Sequence, residues 1–371
     1  MNKIRPPVIV TTVVKDEGWM MPAFLENASS YSDHIIVFDE STGLDDTRSY
    51  YKRYPKVIPF FNDGEPIRYD IKRNFTFNKA RELFPGPKLI VPLDGDEILS
   101  ANLKDSDEWD QVLSSQPGTL IHLQWVNLWH EHTRYKVDCP GQYGNYNRTL
   151  WMDDDTSQIP DVGEKGFHMV YTPLTAQKEI WLKDIVCLHY QFCNWNRMES
   201  KHRYYRAHEK AHIRKLSDLA IWRIYGHFQS TEAPINESER KWFADINDYS
   251  IEEKAKSSFQ ITYYDLLVLD YIREFGVELF EYQDIWRAPW PEIVRVAKNL
   301  KKIPEDFEFR FPSKKIQKKL WELYLRETID LDLIRNVERK VFRKGFNYNP
   351  RPLSKVLWEK FEKLKALKSP L

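Results

Sequence analysis

The chain has 371 residues, with 55 Lys+Arg against 55 Asp+Glu, 42% hydrophobic and 30% charged residues. That balance excludes an intrinsically disordered chain, and a formal net charge of zero gives no compositional support to a nucleic-acid partner. No stretch approaches the roughly 20 apolar residues of a membrane helix. Met1–Pro7 opens no signal peptide, and the cysteines Cys139, Cys187 and Cys193 form no CxxC pair, so a reducing, cytoplasmic setting is expected.

In chain order, Val8–Val14 (VIVTTVV) is a continuous β-branched run, expected as a strand buried on both faces. Trp19, Met20, Phe24, Leu25 and Ala28 follow at helical spacing, with Pro22 tolerated in the first turn. His34–Phe38 gives a second strand ending at Asp39. Glu40–Thr47 (ESTGLDDT) is turn and cap chemistry, and a short helix over Arg48–Tyr54 leads to a third apolar run, Val57–Phe61. A helix over Asp70–Leu83 stops before Pro85-Gly86-Pro87, and Lys88–Leu93 is a fourth strand that ends at Asp94. Strand–helix alternation of this kind predicts an α/β chain with a mostly parallel sheet flanked by helices.

Thr119–Val126 and Ile185–Phe192 read as further strands. The stretch between them, with Asp153-Asp154-Asp155, Pro160, Gly163 and Gly166, reads as loop, the triple Asp as a solvated turn. After Trp195 the pattern becomes mainly helical. We therefore expect a sheet domain over residues 1–194 and a helical extension over 195–371. From Arg310 onward 17 Lys+Arg face 7 Asp+Glu, a net of +10, so the preceding part carries −10. The plainer reading of this basic tail is a set of solvated helical faces. The sharper one is an anionic contact, such as a lipid headgroup at a membrane surface or an acidic glycan. The 13 Trp fit either sugar stacking or an aromatic helical core.

In open α/β sheets ligands bind at the carboxyl ends of strands, and here three strands end in acids: Asp16 and Glu17, Asp39, then Asp94, Asp96 and Glu97. Leu93-Asp94-Gly95-Asp96-Glu97 is the sharpest signal. Two carboxylates straddle a glycine after a buried strand, which suits Mg²⁺ or Mn²⁺ sharing its remaining positions with phosphate oxygens and water. A lone DxD is more often a solvated turn; its place after an apolar strand raises the functional reading.

These residues resemble the nucleotide-sugar glycosyltransferases of the GT-A fold, family 2 type, in particular the bacterial polysaccharide and lipopolysaccharide enzymes. Val13-Val14-Lys15-Asp16-Glu17 looks like the family's first strand ending, though Asn commonly stands in place of Asp16. Ile36-Val37-Phe38-Asp39-Glu40-Ser41-Thr42 with Asp45-Asp46-Thr47 looks like its second-strand signature. Arg73-Asn74 resembles its Arg-Asn helix, Asp94-Gly95-Asp96 its DxD, and His189-Tyr190 with Trp195, Arg197, Lys201 and Tyr205 its His-Tyr segment. The resemblance covers about a third of the chain and implies a metal-dependent, inverting transfer from a nucleotide-sugar donor to a glycan or lipid-linked acceptor. It implies that Asp16, Glu17, Asp39, Arg73, Asp94 and Lys201 hold the nucleotide sugar, with Arg203 beside Lys201. It further implies that Asp94, Asp96 and His189 ligate Mn²⁺ or Mg²⁺. For the base, Asp161 or Glu164 is favoured in a Gly- and Pro-bearing loop with His168 behind it, although the family's usual acidic pair is absent there.

Plainer roles compete at several positions. Asp16 could cap the first helix, Asp39 a turn, Arg73 could pair with Asp70 or Glu82, His189 could be a buried core histidine, and Trp195–Tyr205 could be packing. A nucleotidyltransferase, a non-catalytic binding protein and a nucleic-acid binder acting through the tail are the alternative functions. The first would show a Gly-rich phosphate cradle where this chain has Lys15-Asp16-Glu17-Gly18.

Overall fold

The computed structural model describes residues 5–64, 68–137, 148–157, 173, 178–213, 218, 221–222, 225, 235–243, 251, 253–255 and 261–318. β1 (Val8–Val14) pairs in parallel with β2 (His34–Asp39) on one side and β4 (Lys88–Asp94) on the other, and β2 pairs in parallel with β3 (Val57–Phe61). The crossovers are α1 (Met21–Tyr31), a 3₁₀ helix over Thr47–Arg53, and α2 (Tyr69–Leu83). This is the expected Rossmann-like α/β arrangement. Alternate side chains explain why the strands read as unbroken apolar runs. Val8, Val10, Ile35, Val37, Leu89 and Val91 face α1 through Phe24, Leu25 and Ala28. Ile9, Ile36 and Ile90 face α2 through Phe77 and Ala80. Burial on both faces leaves no polar position to break the run.

Beyond β4 the sheet continues with antiparallel partners in the order β10-β7-β6-β8-β4-β1-β2-β3. β6 is Thr119–Trp129, β7 Glu131–Lys136, β8 Arg148–Asp153 and β10 Ile235–Glu237. β9 (Lys178–His189) pairs in parallel with β6 and carries β5 (Glu97–Leu99) on its other edge. Of the triple Asp, Asp153 is not the solvated turn residue expected, whereas Asp154 accepts from Thr156 N in an exposed turn. β8 is an interior strand between β4 and β6, and its last residue, Asp153, is buried against Arg81 and Lys88. Asp155, at φ 70°, accepts from the Gly86 amide at 2.6 Å and pairs with Lys88.

α3 (Asp107–Leu113) precedes β6. Among the described residues the longer later helices are α4 (Trp195–His208), α5 (Tyr263–Phe275) and α6 (Trp290–Asn299). Ala207, Leu266, Leu269, Trp286, Trp290 and Ile293 form their core, as expected of a helical region after residue 194. The chain divides into a unit of Met1–Gln317 and a unit of Lys318–Leu371, so the boundary expected after residue 194 lies inside the first unit. Among the described residues no helix is long and apolar enough to cross a membrane.

Candidate functional site at the carboxyl rim of the sheet

The parallel strands β1, β2 and β4 end side by side, with Val14 opposite Asp39 and Val13 opposite Asp94. The expected acids therefore do gather on one rim, but they hold different company. Asp39 is fully buried and accepts from Ser41 N at 2.6 Å, Arg48 Nε at 3.0 Å and the Tyr51 hydroxyl. Asp16, at φ 49°, accepts from Thr42 N at 2.8 Å and Thr42 Oγ1 at 2.7 Å, while its own amide donates to Ser41 Oγ at 3.0 Å. These two acids lock the loops after β1 and β2 together. Neither caps α1, whose first turn has no side-chain cap.

Arg73 is buried and turns toward Asp94 rather than toward Asp70 or Glu82. Its other donors reach Leu93 O at 2.9 Å and the Tyr69 hydroxyl at 2.6 Å, and Tyr69 itself donates to Asp94. Arg148, at the start of β8, grips Asp94 from a second direction at 3.3 Å and Glu97 at 2.6 Å. Burial opposes the charge on Asp94, but Arg73 and Arg148 outweigh it and hold the carboxyl below its ordinary range. Glu97 also accepts the Asp94 amide at 2.9 Å, which fixes the turn. Glu17 accepts from Trp19 Nε1 at 2.8 Å and pairs with Arg197 of α4. Burial, with Asp96 nearby and against the pull of Arg197, raises the Glu17 carboxyl to about 7.

Asp96 differs. Its carboxylate lies beside a histidine, Oδ2 3.6 Å from His189 Nε2. His189 sits opposite Glu97 in the β5–β9 pairing and opposite Asn127 in the β6–β9 pairing. Its Nδ1 lies 2.7 Å from Asn127 Oδ1, an atom that can only accept, so Nδ1 carries the proton and Nε2 presents its lone pair toward Asp96. The ring stacks on Trp125 at 4.5 Å, and the Arg148 guanidinium lies over the Trp125 ring at 4.1 Å. Lys201, half-buried and bonded to Gln191 Oε1 at 2.6 Å, completes the group from α4. Burial disfavours its charge, yet Tyr205, Tyr264, Asp96 and Glu17 keep its pKa above the ordinary value. Lys201, with Arg197 further off, holds the Asp96 carboxyl well below its ordinary range, against the effect of burial. Arg203 instead pairs with Asp265 at 2.7 Å and joins α4 to α5.

Two acceptor atoms facing each other across 3.6 Å suit a divalent cation between them. Among the described residues no group of three His, Cys, Asp or Glu side chains converges on such a point, so phosphate oxygens and water would fill the other positions of a Mg²⁺ or Mn²⁺ ion. The donor set thus fits such a metal on Asp96 and His189, whereas both oxygens of Asp94 face arginines. The expected base residues Asp161 and Glu164, with His168, lie outside the described residues. Sequence reading assigned no role to Arg148, Arg197, Trp125 or Asn127. Arg197 stood within the His-Tyr stretch and could have been weighed as a partner for a first-strand acid. Arg148 gave no signal, because β8 was read as loop.

No family model matches the chain, and no curated protein does. Among solved structures, S. aureus TarS is 13% identical with a TM-score of 0.33, over 74% of this chain and 50% of TarS. GalNAc-T7, solved with UDP, GalNAc and Mn²⁺, is 10% identical with a TM-score of 0.29, over 81% of this chain and 54% of its own. 4-Diphosphocytidyl-2C-methyl-D-erythritol synthase is 11% identical with a TM-score of 0.26, over 41% and 74%. The chain spans half the length of TarS. Likenesses this distant carry no functional argument, which rests on the rim itself.

Proposed function

We propose that the protein is a glycosyltransferase that moves a sugar from a nucleoside-diphosphate donor to a glycan or lipid-linked acceptor with Mn²⁺ or Mg²⁺. The observation that carries this reading is the Asp96–His189 pair, two acceptors 3.6 Å apart at the carboxyl rim. Charge supports it. Glu17, Asp94, Asp96 and Glu97 are met by Arg73, Arg148, Arg197 and Lys201, four acids by four cations. With Asp16 and Asp39 added and Arg48 against them, the rim is not cationic and gives a diphosphate little net attraction, so the donor is best held together with its own cation.

When bound, the metal neutralises charge developing on the leaving diphosphate. The chain's own groups do the remaining work. Asp96 and His189 would hold the cation, while Arg73 and Arg148 keep Asp94 and the turn rigid. Lys201 and Arg197 border the leaving group. Asp16 and Asp39 shape the nucleotide pocket by fixing the loops around it. The acceptor oxygen forms a bond to the anomeric carbon as the bond to the diphosphate breaks. Its proton passes to a carboxylate, for which Asp161 or Glu164 remains our assignment. A nucleotidyltransferase is disfavoured, because the Gly18 amide that would face a phosphate donates to Asp45 Oδ2 at 2.7 Å.

The test is Asp96→Asn. In the wild type, Mn²⁺ should add to the thermal shift given by UDP or GDP. The variant should keep its fold, lose that increment and lose turnover by roughly a hundredfold or more. An unchanged Mn²⁺ response in the variant would remove the metal from Asp96.

A further inference from the structure

Topology divides the surroundings of the Asp96–His189 pair into two sides. On one lie the ends of β1, β2 and β4, with the loops of Asp16, Asp39 and Asp94. On the other lie the ends of β6 and β9, where Asn127 pairs with His189. A donor over the first side leaves the second for whatever receives the sugar. There the rim is aromatic. Starting at His189, ring contacts run to Phe192 (6.2 Å), from Phe192 to Trp129 (5.0 Å), and from Trp129 edge-on to Trp195 (5.5 Å). Phe192 and Trp129 are buried, but the path ends at the surface. His130, exposed and at φ 62°, stacks its ring on Trp195 at 4.5 Å and 26°. Trp195 Nε1 donates to Glu199 Oε1 at 3.2 Å, which sets a carboxylate beside the rings.

We infer that His130, Trp195 and Glu199 form a subsite for a pyranose ring of the acceptor, which makes the acceptor a glycan. This rests on the glycosyltransferase reading above. A sugar offers an apolar face of C–H groups and a rim of hydroxyls; flat rings meet the first and a carboxylate the second. The position fits an acceptor unit beyond the one being glycosylated, since the buried Phe192 and Trp129 separate the subsite from His189. Of the aromatic residues in the expected Trp195–Tyr205 stripe, Trp195 belongs to this subsite, whereas Tyr205 is buried.

His130→Gly is a clean test. A left-handed backbone is unfavourable for histidine and free for glycine, so the variant should melt no lower than the wild type while the exposed ring disappears. The full chain is applied to an array of neutral and acidic oligosaccharides, and its thermal shift with UDP or GDP plus Mn²⁺ is measured in parallel. We expect His130→Gly and Trp195→Ala to lower the array signal roughly tenfold, Glu199→Gln to lower it less, and all three to keep the nucleotide shift. An unchanged array signal in His130→Gly and Trp195→Ala overturns the subsite. A wild type that responds to nucleotide but retains no oligosaccharide overturns the glycan assignment and leaves the donor reading standing. A wild type that responds to neither overturns both.

Discussion

Asp153 ties β8 to β4 and α2 through one carboxylate. It accepts from Arg81 of α2 at 2.7 Å and 2.9 Å and lies 3.4 Å from the fully buried Lys88 of β4. Burial opposes its charge, but Arg81 and Lys88 hold its pKa below the ordinary carboxylate value. A lowered pKa in the folded state means stability that is present above the unfolded pKa of about 3.9 and fades as pH falls through the folded one. We therefore expect Asp153→Asn to cost about 2 kcal/mol in urea unfolding at pH 7, because Arg81 loses its carboxylate partner while Lys88 keeps only Asp155. The difference from wild type should shrink below pH 4; a constant gap would remove the ion pair as its cause. Motif reading located the rim acids, since strand ends are marked by where apolar runs stop. It did not show which acid is available to a ligand. Asp39 and Asp94 look alike in the sequence, and only the positions of Tyr51, Arg48, Arg73 and Arg148 show that both are engaged by protein donors.

At the scale of elements, β9 departs from regular pairing. Along β6 the register steps from His122 opposite Trp181 to Gln124 opposite Val186, so β9 bulges between. Glu108, on α3, accepts from the amides of Lys183 at 2.7 Å, Asp184 at 2.9 Å and Ile185 at 3.1 Å, replacing the ladder bonds lost there. Glu108→Ala should cost about 2 kcal/mol and speed hydrogen exchange at residues 183–185; unchanged exchange would show that the bulge holds without it. The parallel half of the sheet was legible because strands buried on both faces have no period to misread. β7 and β8 were not, since EHTRYK is polar and RTLWMD lies beside loop-like acids, and their pairing comes from neighbours distant in sequence.

Across the whole molecule, the rim is joint property of the sheet and of α4. Arg197 reaches Lys15 O at 3.1 Å as well as Glu17, and Lys201 borders Asp96. A fragment of residues 1–194 would keep Arg73 and Arg148 but lose Arg197 and Lys201, leaving two cations for four acids. We expect it to give no cooperative melt by circular dichroism. A cooperative transition with a Mn²⁺ and UDP response would mean that the sheet half is self-sufficient. The order of those charges along the chain matters for biosynthesis too. A ribosome delivers Glu17, Asp94, Asp96 and Glu97 with only Arg73 among their four cations, Arg148 comes next, and at ordinary elongation speeds Lys201 follows Glu97 after roughly 5 to 20 s. Through that interval Glu17 and Asp96 lack their partners on α4, so the rim can be completed only after that helix has emerged.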